Sequence, residues 1–151
     1  MKLQPLFDIH ADLKTPLEMG QGPWGTRIVF DITGGSFGGD RIRGAVRPGG
    51  ADWFLIDAEG TGHVDVRVIL ETDDGASVYM HYQGIVLLNE KVNKVLAEGG
   101  AIEFGDTYFV TQPRFETGDA RYRWLNRVVA AAQGRVMEDA VEYRVQEIVL
   151  D

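Results

Sequence analysis

Apolar and polar positions alternate along most of this chain. Leu3, Pro5, Phe7, Ile9, Ala11 and Leu13 share one face of an extended segment, with Gln4, Asp8, His10, Asp12 and Lys14 mostly opposite. A period of two is the mark of a β-strand whose faces meet different surroundings. The same pattern returns in Ile28, Phe30 and Ile32 against Arg27 and Asp31. It returns again in Val64, Val66, Val68 and Leu70 against His63, Asp65 and Arg67, and in Val141, Tyr143, Val145 and Val149 against Glu142, Arg144 and Gln146. Gly34-Gly35, Gly38-Gly39, Gly49-Gly50 and Asp74-Gly75 separate such runs and are expected to be turns between antiparallel strands. About nine or ten strands result. One stretch has helical spacing instead: Val92, Val95 and Leu96 recur at i, i+3 and i+4, with Asn89 as N-cap and Gly99 as the stop. A shorter turn is expected over Arg121 to Leu125. Strands and helices do not alternate, which disfavours a parallel α/β fold. That many strands must protect their edges by stacking or closing. The expectation is a mainly β fold, a closed antiparallel barrel with one short helix.

Composition narrows the picture. The 151 residues suit a single domain over 1–151. Lys and Arg number 15 against 23 Asp and Glu, a formal charge of −8. The basic residues are scattered, which argues against nucleic acid as a partner. Cysteine is absent, so disulfides and thiolate chemistry are excluded and nothing demands an oxidising compartment. Asp8, His10 and Asp12 interrupt the first segment where a signal peptide needs an apolar run. No apolar stretch approaches the ~18 residues of a membrane span. A cytoplasmic protein that does not enter membranes is expected. Glycine, 19 of 151 residues, is well above its usual share of ~7%.

The familiar chemical motifs fail on context. Gly34-Gly35-Ser36-Phe37-Gly38 fits the G-x-S-x-G nucleophile elbow, but that elbow joins a strand to a helix, and here a strand follows. No Gly-Lys-Ser/Thr completes a phosphate loop. His10, His63 and His81 are far apart and lack metal-ligand spacing, so no metal and no cofactor is expected.

The informative feature is charge in the middle of good strands. Asp65 and Arg67 emerge on one face with His63, opposite an all-aliphatic face. Either they form the wet outside of a half-buried strand, or they point into a barrel cavity as a pair, with the valines covered by the helix or by another subunit. A second group, Gln112 to Gly118 followed by Tyr122 to Asn126, places Phe115, Glu116, Trp124 and Asn126 around a chain reversal. These side chains either plug one end of the barrel or line its mouth. Trp53, beside Asp52, poses the same choice. If the groups meet, Arg67 can receive an anionic or carbonyl oxygen, and Asp52, Asp65 or Glu116 can carry a proton.

Gly22-Pro-Trp-Gly-Thr-Arg27, Ile32 through Gly39, Pro48-Gly-Gly-Ala-Asp52-Trp53, Asp65-Val-Arg67, Thr72-Asp-Asp-Gly75, Tyr82-Gln-Gly84, Tyr108-Phe, Pro113-Arg-Phe-Glu116 and Tyr122-Arg-Trp-Leu-Asn126 together resemble the domain-of-unknown-function family 3237, also called uncharacterised protein family 0311. The likeness runs from about Leu6 to the C-terminus. It implies a closed, lipocalin-like antiparallel barrel of small bacterial proteins with no settled biochemical role. The family's recurring polar and aromatic words fall here on Arg27, Asp52, Trp53, Asp65, Arg67, Tyr82, Phe115, Glu116, Trp124 and Asn126. The resemblance also tips Asp65 and Arg67 toward the interior.

The reading is a barrel with an interior pocket for a small, largely apolar molecule bearing a carbonyl or carboxylate. Three classes stay open. One is a cofactor-free isomerase, cyclase or hydrolase in which Asp52, Asp65 or Glu116 moves a proton and Arg67 with Tyr82 stabilises an oxyanion, while Trp53, Phe115, Trp124 and Asn126 hold the ligand. Another is a carrier of the same ligand. The third is a homo-oligomeric structural module whose outward valines meet another subunit. Self-association is compatible with all three.

Overall fold

The computed structural model describes residues 1–151. Ten strands form one antiparallel sheet: β1 (Lys2–Leu13), β2 (Leu17–Gly22), β3 (Gly25–Gly38), β4 (Arg43–Val46), β5 (Ala51–Ile56), β6 (Thr61–Thr72), β7 (Ser77–Leu87), β8 (Phe109–Glu116), β9 (Ala130–Met137) and β10 (Ala140–Val149). The sheet closes because β1 pairs with β10 on one side and with β3 on the other, in register from Asp8↔Gly38 to Asp12↔Gly34 before a shift to Leu13↔Ile32. Closure removes the open edges that so many strands would otherwise present. The wall is eight strands round, with the short β4 and β5 sharing the place between β3 and β6, and β2 flanking β3 outside the circuit.

The expected turn at Gly34-Gly35 lies instead inside β3. There the strand passes from β5 to β4 and crowds against β1. A Cβ on Gly35 would stand 2.0 Å from the His10 carbonyl oxygen, and its φ is +140°. The glycine is needed for close approach within a bent strand rather than for a reversal. Gly49 and Asp74-Gly75 do sit in turns.

Alternation sorts most side chains as the period predicts, but a register shift between Pro5 and Phe7 of β1 leaves Leu3 and Pro5 exposed and buries Leu6 instead. Phe7, Ile9 and Ala11 of β1, Val64, Val66, Val68 and Leu70 of β6, and Val141, Tyr143 and Val145 of β10 belong to one buried core. One end of the barrel is plugged. Phe7 meets Phe37 and Phe115 edge-on, at centroid distances of 5.4 and 5.8 Å, and Leu125 is fully buried beneath them within the core. Leu125 sits on a 3-10 turn over Arg123–Arg127, two residues later than the spacing suggested.

The single helix, α1 (Glu90–Glu98), forms where expected. The Asn89 side chain accepts the Val92 N–H at 3.0 Å, and Gly99 ends the helix at φ 82°. Val92 and Val95 pack on Ile102, Leu88 and Val136, which sets α1 across the end of the barrel opposite the plug.

Candidate functional site

Beneath α1 the barrel is not filled. A cavity of about 530 Å³ runs down from the open end, within the range of ~300–1,000 Å³ usual for ligand sites. Phe30, Phe54, Val64, Val66, Val86 and Phe109 line its walls, and Val92, Val95 and Leu96 of α1 roof it. The wall strands contribute few polar groups: Asp52 from β5, Tyr82 from β7 and Tyr143 from β10. The remaining charges, Lys14, Glu18, Glu98, Glu138 and Asp139, belong to α1, β2 and the turns at the mouth.

Asp52 reaches the interior by the period of β5, which turns Asp52, Phe54 and Ile56 inward and leaves Trp53 outside and half exposed. Gly62, opposite on β6, makes room: a Cβ there would come within 2.4 Å of the Phe54 ring. The β5–β6 ladder pairs Asp52 with Val66 and Leu55 with His63 but skips the residues between. In that gap the Asp65 N–H donates to Asp52 Oδ1 at 3.0 Å, so a side-chain carboxyl takes the place of a ladder carbonyl. No cation faces this carboxyl. Burial pushes its pKa up to about 7; the Asp65 N–H pulls the other way, and the Asp65 charge adds to the rise.

Tyr82 and Tyr143 are both buried and meet edge-to-face, with centroids 5.1 Å apart; Phe109 holds the far side of Tyr143 at 5.3 Å. Burial, followed by the nearby Asp52 charge, raises the Tyr82 pKa, while the Tyr143 hydroxyl opposes that rise. Burial, then Tyr82 and Asp52, raise that of Tyr143. Both stay neutral hydrogen-bond donors at physiological pH.

The remaining site residues expected from sequence are dispersed. Asp65 and Arg67 lie on the outer face of β6, the reverse of the inward orientation expected of them. Their inward neighbours are the valines, which form the barrel lining and are not available to a second subunit. Outside, Asp65 Oδ1 lies 3.2 Å from His81 Nε2. Trp53 is 51% exposed, and its carbonyl accepts from Arg27 Nη1 at 2.8 Å. Glu116 is exposed on β8. Phe115 belongs to the plug, Arg41 stacks 3.7 Å over Trp124, and Asn126 brackets Thr117 by accepting its N–H and donating to its carbonyl. These last three hold the closed end together. Of the nine, the cavity brings together Asp52 and Tyr82. Tyr143, which completes the polar set, carried a readable signal: a tyrosine midway along an aliphatic face.

Nowhere are three or more His, Asp or Glu side chains grouped to hold a metal ion, and no helix is long and apolar enough to cross a membrane.

The profile of the family described as "Protein of unknown function (DUF3237)" matches residues 1–148. The chain belongs to this family. Among DUF3237 relatives, the UPF0311 protein RPA1785 of Rhodopseudomonas palustris is 32% identical over 143 residues, 95% of this chain and 94% of that one. Its crystal structure superposes with a TM-score of 0.91 over 98% of this chain and 97% of that one. A β-barrel-like protein of Acinetobacter baumannii is 34% identical, with a TM-score of 0.83 over 97% and 94% of the two chains. An enzyme of Penicillium herquei, 21% identical, shares the fold with a TM-score of 0.71 over 97% and 94%.

Proposed function

We propose that this DUF3237 chain is a cofactor-free acid/base enzyme of the isomerase, cyclase or hydrolase type, acting on a small molecule in the barrel cavity with Asp52 as proton carrier. The observation that carries this reading is the placement of Asp52. It is the carboxyl of a wall whose other polar groups are the Tyr82 and Tyr143 hydroxyls, and burial brings its pKa to about 7. A carboxyl that titrates near neutrality is present in both forms at working pH and can take a proton and return it. Tyr82 and Tyr143 supply neutral donors for an oxygen on which negative charge develops. A carrier fixing its ligand through an ionised carboxylate would set a cation beside it, and Asp52 has none. The fold shared with a Penicillium herquei enzyme is compatible with catalysis but does not name a reaction.

The test begins with native mass spectrometry of protein purified from its own host, to identify a retained small molecule. Lactones, esters and conjugated ketones form the panel where none is retained. Turnover is then followed in D2O by product mass. Asp52→Asn is expected to lose about 10²-fold or more in kcat, and the wild-type profile to bend near pH 7. Wild-type turnover in Asp52→Asn would refute the reading.

A further inference from the structure

We propose that the cavity selects uncharged, predominantly apolar molecules and excludes acids, whether carboxylate, phosphate or sulfonate. The inference rests on the cavity being the binding site, as proposed above, and goes further by fixing the charge class of what enters. It narrows the expectation of a ligand bearing a carbonyl or a carboxylate to the uncharged alternative, since the carboxylate depended on Arg67, which is exposed on the outer face of β6.

Two layers of charge support it. At the mouth, Glu18, Glu98, Glu138 and Asp139 face a single cation, Lys14. An approaching anion meets a negative rim on a chain whose net charge is already −8. Deeper in, Asp52 is the charged side chain of the wall, and Arg67, the cation expected to meet a ligand anion, is on the other face of its strand. A buried anion without a cation or a set of donors forfeits its hydration with little in return. It would also stand near Asp52, where like charges oppose one another. Tyr82 and Tyr143 can donate to an oxygen but bring no positive charge. A cationic ligand would have Asp52 alone as its partner, and the burial that opposes ionisation of Asp52 opposes forming that isolated pair. An uncharged molecule incurs none of these costs and gains from the aromatic and aliphatic walls.

The test uses two probes with the same aromatic skeleton. N-phenyl-1-naphthylamine is uncharged; 8-anilinonaphthalene-1-sulfonate carries one sulfonate. Each is titrated into the full chain at pH 8 by fluorescence, with the sulfonate also scored for displacement of the uncharged probe. The expected result is saturable 1:1 uptake of the uncharged probe and at least tenfold weaker displacement by the sulfonate. Sulfonate fluorescence without displacement is surface binding and supports the proposal. Glu98→Gln/Glu138→Gln is expected to narrow the gap by strengthening displacement by the sulfonate. Equal or tighter displacement by the sulfonate would overturn the proposal, as would failure of the uncharged probe to bind at all. Selective uptake with full turnover in Asp52→Asn would end the acid/base reading and leave this one standing. Tight sulfonate binding with turnover still dependent on Asp52 would do the reverse.

Discussion

Asp52 makes the barrel less stable at neutral pH than it need be, and the size of that effect follows from its site. Its pKa rises from 3.8 to about 7 on folding. Between those values the folded state holds a proton that the unfolded chain releases, so stability is full below about pH 4, falls as pH rises through this window, and levels off above 7. Three pK units at 1.36 kcal/mol each amount to ~4 kcal/mol, of which ~3 kcal/mol separates pH 4.5 from pH 8. Asp52→Asn keeps the shape and the oxygen that accepts the Asp65 N–H, and removes the charge. Its amide adds unpaired donors at a cost of ~1–3 kcal/mol that does not vary with pH. Urea unfolding at both pH values, followed by tryptophan fluorescence, therefore gives curves whose difference changes sign or shrinks with acid. Relative to wild type, the variant gains ~3 kcal/mol on going from pH 4.5 to pH 8. Other titrating groups are common to both proteins and cancel. A wild-type-to-variant difference that is constant across this range would refute the burial of an ionisable Asp52, and with it the acid/base site.

Leu125→Ala is expected to cost ~2–5 kcal/mol in the same assay and to leave uptake of the uncharged probe unchanged, since Leu125 plugs the end remote from the cavity. Arg67→Ala is expected to shift stability by no more than ~0.5 kcal/mol and to leave probe uptake at the wild-type level, because the side chain is exposed on the outer face; weakened uptake would return Arg67 to the pocket. His10 is raised above its usual pKa by the hydrogen bond to Glu142, against an opposing burial effect and with help from Asp12. Its contribution is thus present below about pH 6.5 and lost as pH rises through the higher folded value. His10→Gln is expected to flatten that part of the pH–stability curve by at most ~1 kcal/mol, because the imidazole is 34% exposed and solvent screens it.

Much of the barrel was legible in the residues because alternation is a local property. Phe7, Ile9 and Ala11, or Val141, Tyr143 and Val145, share a face whatever the rest of the chain does. The helix was legible for the same reason: Asn89 caps the N–H three residues on without reference to tertiary structure. Gly34-Gly35 was misread because a glycine pair looks the same in a reversal and in a bent strand. The difference lies in the carbonyl of His10, contributed by another strand.

The orientation of β6 exposes a different limit. Alternation says that Asp65 and Arg67 share a face but not which side of the sheet that face is on, and the ordinary arrangement of aliphatics in and charges out won. From His63 to Val68, β6 keeps its binary pattern and is therefore wall. The site arises where the pattern is broken. Asp52 shares its face with Phe54 and Ile56, Tyr82 with Met80 and Val86, and Tyr143 with Val141 and Val145. Each is a polar group on an apolar stripe, and a sequence tolerates such conflicts chiefly where function requires them. Closure of the barrel then does what no single strand can, because it carries strands distant in the chain to the same depth of one cavity. The informative signal in this sequence was thus the lone polar residue on the greasy face, rather than the row of charges on the polar one.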